Sequence, residues 1–258
     1  MKTVASRDNA VFKAAAKLVA SGSARRRSGV SVLDGAHLLA AFIESGRVPE
    51  EVMVNAAGLA DREVASLVER SGAARVTLFS DALFKTLSTV DSPTGVIAVV
   101  RTPEGKGVPE DATLVLLLED IQDPGNVGTL LRSAAAAGAA HVLLSAQCAF
   151  AWSPKVLRAA MGAHFALNIV EGADLAGFLE LYDGTSVALA AAGGASLYDL
   201  DMTKPVAILV GNEGAGLSRE LLDAASVRAS IPMPGRVESL NAGTAGSIAL
   251  FEAVRQRR

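Results

Sequence analysis

The sequence predicts an α/β protein: a mostly parallel sheet with helices on both faces, preceded by a smaller α/β domain. Three observations carry this. Short aliphatic runs alternate with helix-length stretches along most of the chain, the pattern of successive βα units. The run Thr113–Leu118 (TLVLLL) is continuously apolar, as a parallel strand covered on both faces is. Residues 101–111 (RTPEGKGVPED) hold two prolines, two glycines and five charges. That is a linker composition, and it divides 258 residues into two parts of domain size.

Taken in order, residues 1–30 carry Lys2, Arg7, Lys13, Lys17, Arg25, Arg26 and Arg27 against Asp8 alone, in a chain whose net charge is −3. They read as a basic N-terminal arm on an acidic body. Such an arm suits a phosphate-rich partner or is a solvated tail. Residues 31–100 form the smaller domain. A strand at Val52–Val54 precedes a helix over 61–71, and a strand at Val76–Phe79 precedes a helix over 81–88 with Ser80 as its N-cap. A strand at Val96–Val100 closes the unit. After the linker at 101–112, residues 113–258 repeat the alternation on a larger scale. The strand Thr113–Leu118 leads to a helix over 126–137, with Gly138 just past its end. Further strands are expected at 142–144, 165–170, 187–190, 207–210 and 227–231, and an apolar helix around Ile248, Ala249, Leu250 and Phe251 ends the chain.

Composition removes several function classes. Half of the residues are apolar, enough for a core without staples. The single cysteine, Cys148, excludes an internal disulfide framework and fits a reducing, cytoplasmic setting. His37, His141 and His164 are scattered without zinc-ligand spacing, so no metal is expected. No apolar run reaches the ~18 residues of a membrane span, and the first residues lack the apolar core of a secretory signal.

Three glycine-rich turns follow strands, where ligands of open parallel sheets bind. The first is Asp123-Pro124-Gly125-Asn126-Val127-Gly128, with Arg132 on the same helix. Asn126 is either a plain helix cap or part of a polar site at a helix N-terminus. Arg132 is either a surface charge or a clamp for a phosphate. The second turn is Gly211–Ser218 (GNEGAGLS), which matches neither the dinucleotide fingerprint nor a P-loop. Its glycines let backbone groups approach a ligand closely, and Glu213 is either a solvated loop residue or a carboxylate placed in a site. The third is Ile231–Asn241 (IPMPGRVESLN), stiffened by Pro232 and Pro234. There Ser239, with Asn241 close behind, caps the next helix or belongs to the same site.

In order and identity these turns resemble the three signature motifs of the SpoU/TrmH-type (SPOUT) RNA 2′-O-ribose methyltransferases. Ser153–Gly162 (SPKVLRAAMG) adds to the likeness. Leu33-Asp34-Gly35 and Ser92–Val96 more loosely resemble that family's L30e-like substrate-binding domain, with Asp34 where relatives commonly have Glu. The resemblance implies a C-terminal trefoil knot and S-adenosyl-L-methionine as cofactor. It places Gly211, Ile231 and Leu240 at backbone contacts to the cofactor, with Glu213, Gly214 and Met233 beside them. It gives Asn126, Arg132, Glu213, Ser239 and Asn241 as the polar site. It also implies a homodimer that needs no metal and no membrane. The substrate it implies is RNA, ribosomal of the 23S type before transfer RNA. Two alternatives stand beside it: a base-methylating SPOUT enzyme, which would need a different polar set, and a non-catalytic RNA-binding relative, which loss of Arg132 or Asn241 would have supported.

Overall fold

The computed structural model describes residues 1–90 and 92–258, and its contacts divide the chain into two compact units. The first comprises Met1–Pro103 together with Trp152–Phe165, and the second Glu104–Ala151 together with Ala166–Arg258.

The first unit runs β1 (Lys2–Val4), α1 (Ala10–Ala20), α2 (Gly22–Ser28), β2 (Val30–Asp34), α3 (Ala36–Glu44), β3 (Glu51–Val54), α4 (Ala56–Ala60), α5 (Arg62–Arg70), β4 (Arg75–Phe79), α6 (Asp81–Leu87) and β5 (Val96–Arg101). Its five-stranded sheet has the order β1-β4-β3-β5-β2, with β5 antiparallel to both neighbours and the other pairs parallel. Val32, Met53, Phe79, Phe84 and Ile97 are buried in one cluster.

The expected basic arm is in fact folded into this unit. β1 pairs parallel with β4 (Lys2 opposite Thr77), and Asn9 caps α1 by accepting the Val11 N–H at 2.9 Å. Phe12 and Ala15 are buried, and the Phe12 ring meets Phe79 edge-on at 6.2 Å. The apolar stripe Phe12, Ala15, Leu18, Val19 has helical spacing. Burial of that stripe, not the charge count, decides the segment's structure. Arg25 is the second surprise. It is 6% exposed, and its Nη1 donates to the carbonyls of Leu18 and Val19 at 2.6 and 2.7 Å, closing the end of α1. It is therefore committed internally, whereas Lys2, Arg7, Lys13, Lys17, Arg26 and Arg27 are exposed.

The second unit begins with β6 (Leu114–Leu118), α7 (Pro124–Ala136) and β7 (His141–Leu144). The chain then makes α8 (Pro154–Ala160), which belongs to the first unit, and returns as β8 (Asn168–Glu171), α9 (Leu175–Leu181), β9 (Thr185–Leu189), β10 (Ala195–Ser196), β11 (Val206–Val210), α10 (Arg219–Ala224), β12 (Val227–Ser230) and α11 (Ala242–Gln256). Seven strands form one sheet in the order β10-β12-β9-β11-β6-β7-β8, every pair parallel. β6 and β11 are buried along their whole length, as their unbroken aliphatic runs require. β11 lies between two strands laid down before it, with Ile208 opposite Leu116 on one side and Val187 on the other. α11 packs against α7 through small residues: a Cβ on Gly246 would strike Leu130 and lie 3.0 Å from Val210.

The local differences have simple causes. Ser80 stands at the start of α6, but its side chain makes no capping bond. α7 starts two residues earlier than expected, because Asp123 Oδ1 accepts the Asn126 N–H at 2.9 Å. α11 is capped by Asn241, whose Oδ1 accepts the Thr244 N–H at 3.1 Å, so Ser239 is not a cap. The strand expected over 165–170 starts at Asn168, since Ala163–Ala166 form a 3₁₀ turn. β1, β2 and β10 were not expected. Among the described residues no helix is long and apolar enough to cross a membrane. No group of three or more His, Cys, Asp or Glu side chains among them is arranged to hold a metal ion.

The excursion 152–165 supplies core to the first unit. Trp152 is 3% exposed and packs on His164 (4.9 Å) and Phe165 (6.3 Å), and Phe165 meets Phe42 edge-on at 5.2 Å. Trp152→Ala is expected to destabilise by about 3–5 kcal/mol. Hydrogen exchange should rise in β2 and β5 while β6 and β11 keep their protection. Loosening confined to β6 and β11 would place the excursion with the second unit instead.

Candidate active site

A cavity of about 460 Å³ opens beyond the carboxyl ends of β9 and β11 and under the segment that follows β12. The loop after β11 shapes one wall. Gly211 has to be glycine, because a Cβ there would collide with the backbone of Gly216 and Leu217. The backbones of Asn212 and Gly216 exchange two hydrogen bonds, at 3.0 and 2.9 Å. Asn212 Oδ1 accepts the N–H groups of Gly214 and Ala215 at 2.9 and 3.0 Å. The result is a tight loop that directs Glu213 toward the start of α7.

There the three glycine-rich turns meet. Glu213 Oε1 accepts Asn126 Nδ2 at 2.8 Å and the Asp123 N–H at 3.2 Å, and Oε2 accepts the Gln122 N–H at 3.4 Å. Asn126 is 8% exposed, and its Oδ1 accepts Asn241 Nδ2 at 2.8 Å. An ionised carboxylate only accepts, so it fixes which end of the Asn126 amide faces it. Asn126 then fixes the Asn241 amide, whose oxygen is left to cap α11. The direction of every bond in the chain follows from the charge on Glu213.

Gly211, Glu213, Gly214, Ile231, Met233, Ser239 and Leu240 line the cavity. Asn126 and Asn241 stand behind Glu213 and do not line it. Arg132 is apart from this group: it is exposed, about two turns further along α7, and neither lines the cavity nor bonds to the Glu213–Asn126–Asn241 chain. Sequence reasoning missed the wall formed by Leu189–Ala192, and missed Asn212, Ala242 and Ala245. The run Ala190–Gly194 directly after an expected strand was the available signal, because small residues at a strand end leave room for a ligand.

Partial burial pushes the Glu213 carboxyl up, but the bonds from Asn126 and from the backbone N–H groups of the loop outweigh it, and the net effect holds Glu213 below the ordinary glutamate value. A depressed carboxylate contributes stability that is complete above its unfolded pKa of about 4.3 and is lost as pH falls through the lower folded value. The melting-temperature gap between the wild type and Glu213→Gln should therefore be largest near neutrality and narrow as pH falls below the ordinary glutamate value. A gap unchanged down to about pH 3 would show that the charge is not what holds the loops.

The profile of the SpoU rRNA Methylase family matches residues 113–251. A 23S rRNA guanosine 2′-O-methyltransferase of Bacillus subtilis is 31% identical over 230 residues, covering 88% of this chain and 89% of that protein. The AdoMet-bound rRNA methyltransferase of Sinorhizobium meliloti superposes with a TM-score of 0.85 at 29% identity, covering 98% of this chain and 97% of its own. The SpoU methyltransferase AviRb of Streptomyces viridochromogenes, in complex with AdoMet, gives 0.86 at 28% identity over 96% and 98%. With the profile matched over more than half of the chain and the three motifs bonded to one another through Glu213, Asn126 and Asn241, the chain belongs to the SpoU rRNA methylase family.

Proposed function

We propose that this chain transfers a methyl group from S-adenosylmethionine to a ribose 2′-OH of ribosomal RNA of the 23S type. The observation that carries the reading is that two of the turns line one cavity and the first is bonded to them at its edge through Glu213, Asn126 and Asn241. The cavity suits the cofactor. Its volume falls in the ~300–1,000 Å³ range of small-molecule sites. Its lining joins apolar side chains (Ile231, Met233, Leu240) to glycine backbone (Gly211, Gly214), which fits a molecule part purine and part amino acid. The bound cofactor would supply an activated methyl group. The chain's own work is then to position the ribose and ease the proton off its hydroxyl. Glu213 is committed to three donors and held ionised, which makes it a holder of Asn126 and not a proton acceptor. The Ser239 hydroxyl lies in the cavity wall for a polar contact. Arg132 keeps its proton too tightly to act as a base. Its exposed guanidinium is placed to grip a neighbouring RNA phosphate and so lower the hydroxyl's pKa.

The same reading includes a C-terminal trefoil knot, supported by the insertion of β11 between β6 and β9 and by the return of α11 onto α7. It includes a homodimer, for which Phe251, 47% exposed on α11, is an apolar contact, and a cytoplasmic location. It assigns RNA binding to the first unit as an L30e-like domain. Full-length relatives that act on ribosomal RNA favour that substrate over transfer RNA.

The test is calorimetry with S-adenosylmethionine, with and without EDTA, followed by mass mapping of 2′-O-methyl nucleotides in RNA from cells with and without the gene. Binding indifferent to EDTA and loss of one ribosomal mark are expected; a lost transfer-RNA mark would move the substrate, and no binding would end the reading. In the same assays Arg132→Ala should cut methyl transfer by about two orders of magnitude or more. Its cofactor affinity should change less than about tenfold, roughly 1.4 kcal/mol. For the exposed basic residues of the first unit, joint replacement of Lys13, Lys17 and Arg27 by Ala should flatten the log–log salt dependence of RNA binding. Each lost phosphate contact contributes about 0.9 on duplex and about 0.7 on single strands, and an unchanged slope would remove these residues from RNA binding.

A further inference from the structure

Beside the site sits a backbone conformation that residues other than glycine seldom adopt. Asp120, between β6 and α7, has φ of +54°, in the left-handed region. Aspartate tolerates that region better than most residues, yet it persists there only where its surroundings fix it. Two side chains distant in sequence do so. The Ser145 hydroxyl, just past β7, accepts the Asp120 N–H at 2.9 Å and donates to Asp120 Oδ1 at 2.5 Å. Asn212 Nδ2 donates to the Asp120 carbonyl at 2.8 Å. The Asn212 bond is the middle of a three-part tie between the loop after β6 and the loop after β11, and Ser145 adds a hold from the loop after β7. On one side Glu119 Oε2 accepts the Ser218 N–H at 2.7 Å, and on the other Glu213 accepts from Gln122, Asp123 and Asn126. Glu119, Asp120, Gln122 and Asn212 also border a second cavity of about 400 Å³ beside the first. Ser145 borders neither cavity.

We propose that Asp120 is a positioning residue for methyl transfer: its left-handed turn, held by Ser145 and Asn212, sets the direction in which the chain leaves β6 and thereby places Asn126 and Arg132 on α7. The inference rests on the methyltransferase reading and extends it to residues behind the cofactor cavity. It has a specific corollary. Glycine takes a positive φ without support, so the need for Ser145 exists only because position 120 carries a side chain.

The experiment is the cycle of Ser145→Ala, Asp120→Gly and the double variant. It is read by kcat on RNA, cofactor affinity by calorimetry, melting temperature, and hydrogen exchange of peptides covering 119–126. Ser145→Ala should lower kcat about tenfold or more, since small misplacements of reacting groups are costly. Cofactor affinity should stay within about threefold, and exchange should speed up over 119–126 but not in β6 or β11. Measured in the Asp120→Gly background, the Ser145→Ala cost should shrink to under about threefold. Equal cost in both backgrounds, wild-type kcat and exchange in Ser145→Ala, or a kcat loss that merely tracks a lowered melting temperature would overturn the proposal. Exchange in the free protein needs neither RNA nor cofactor. A wild type that neither binds the cofactor nor methylates RNA would therefore sink the enzymatic reading, while exchange over 119–126 would still decide whether Ser145 holds the turn.

Discussion

The charge on Glu213 organises the second unit's site. Its two oxygens take the side-chain amide of Asn126 and two backbone N–H groups at the mouth of α7. The orientation it imposes on Asn126 passes to Asn241 and ends in the cap of α11. Hydrogen bonds to an ionised group are roughly twice as strong as neutral ones. In a chain of amides that could each flip, one fixed acceptor also selects a single arrangement. The loop after β11 exists to present that acceptor, which is why Gly211 admits no side chain and Asn212 spends its amide oxygen on the loop.

That polar chain needs its helices close together, and small residues provide this. The α7–α11 contact is built on Gly243 and Gly246, with Ser133 and Ser247 joined across it at 2.7 Å. A Cβ at Gly243 would lie 3.1 Å from Asn241 Oδ1 and 3.3 Å from Asn126 Oδ1, so the same glycine that lets the helices approach leaves room for the amide pair. Beneath them β6 and β11, aliphatic along their length and fully buried, form a floor with no polar group to satisfy beyond the ladder itself.

The sequence disclosed what local chemistry dictates. Aliphatic runs became strands within a residue or three, because a covered parallel strand tolerates little else, and the turns were visible because glycine and proline mark conformations other residues avoid. Which of two equivalent residues does a job was not visible. Asp123 and Asn126 are both good caps, as are Ser239 and Asn241; the first and last of these four serve as caps, while Asn126 is drawn into the network by Glu213, a partner distant in sequence. At the N-terminus a conspicuous charge count hid the apolar stripe of α1. The insertion of β11 between β6 and β9, and the affiliation of 152–165 with the first unit, are contacts at long range that no local pattern encodes. The left-handed turn at Asp120 was equally silent, since aspartate does not announce a positive φ as glycine does.

The first unit is assembled from two separate stretches, 1–103 and 152–165, and this bears on how the protein is made. During synthesis its sheet strands all leave the ribosome early, but the piece that covers Phe42 and carries Trp152 arrives only after β6, α7 and β7 have been added. At ~5–20 residues per second the unit stays unfinished for on the order of 3 to 12 s. In that interval Phe42 lacks its packing partner Phe165, and transiently exposed apolar surface of this kind favours aggregation. The same discontinuity means that this unit does not travel as a cassette: a cut at the linker would carry away its sheet and leave part of its core behind in the other fragment.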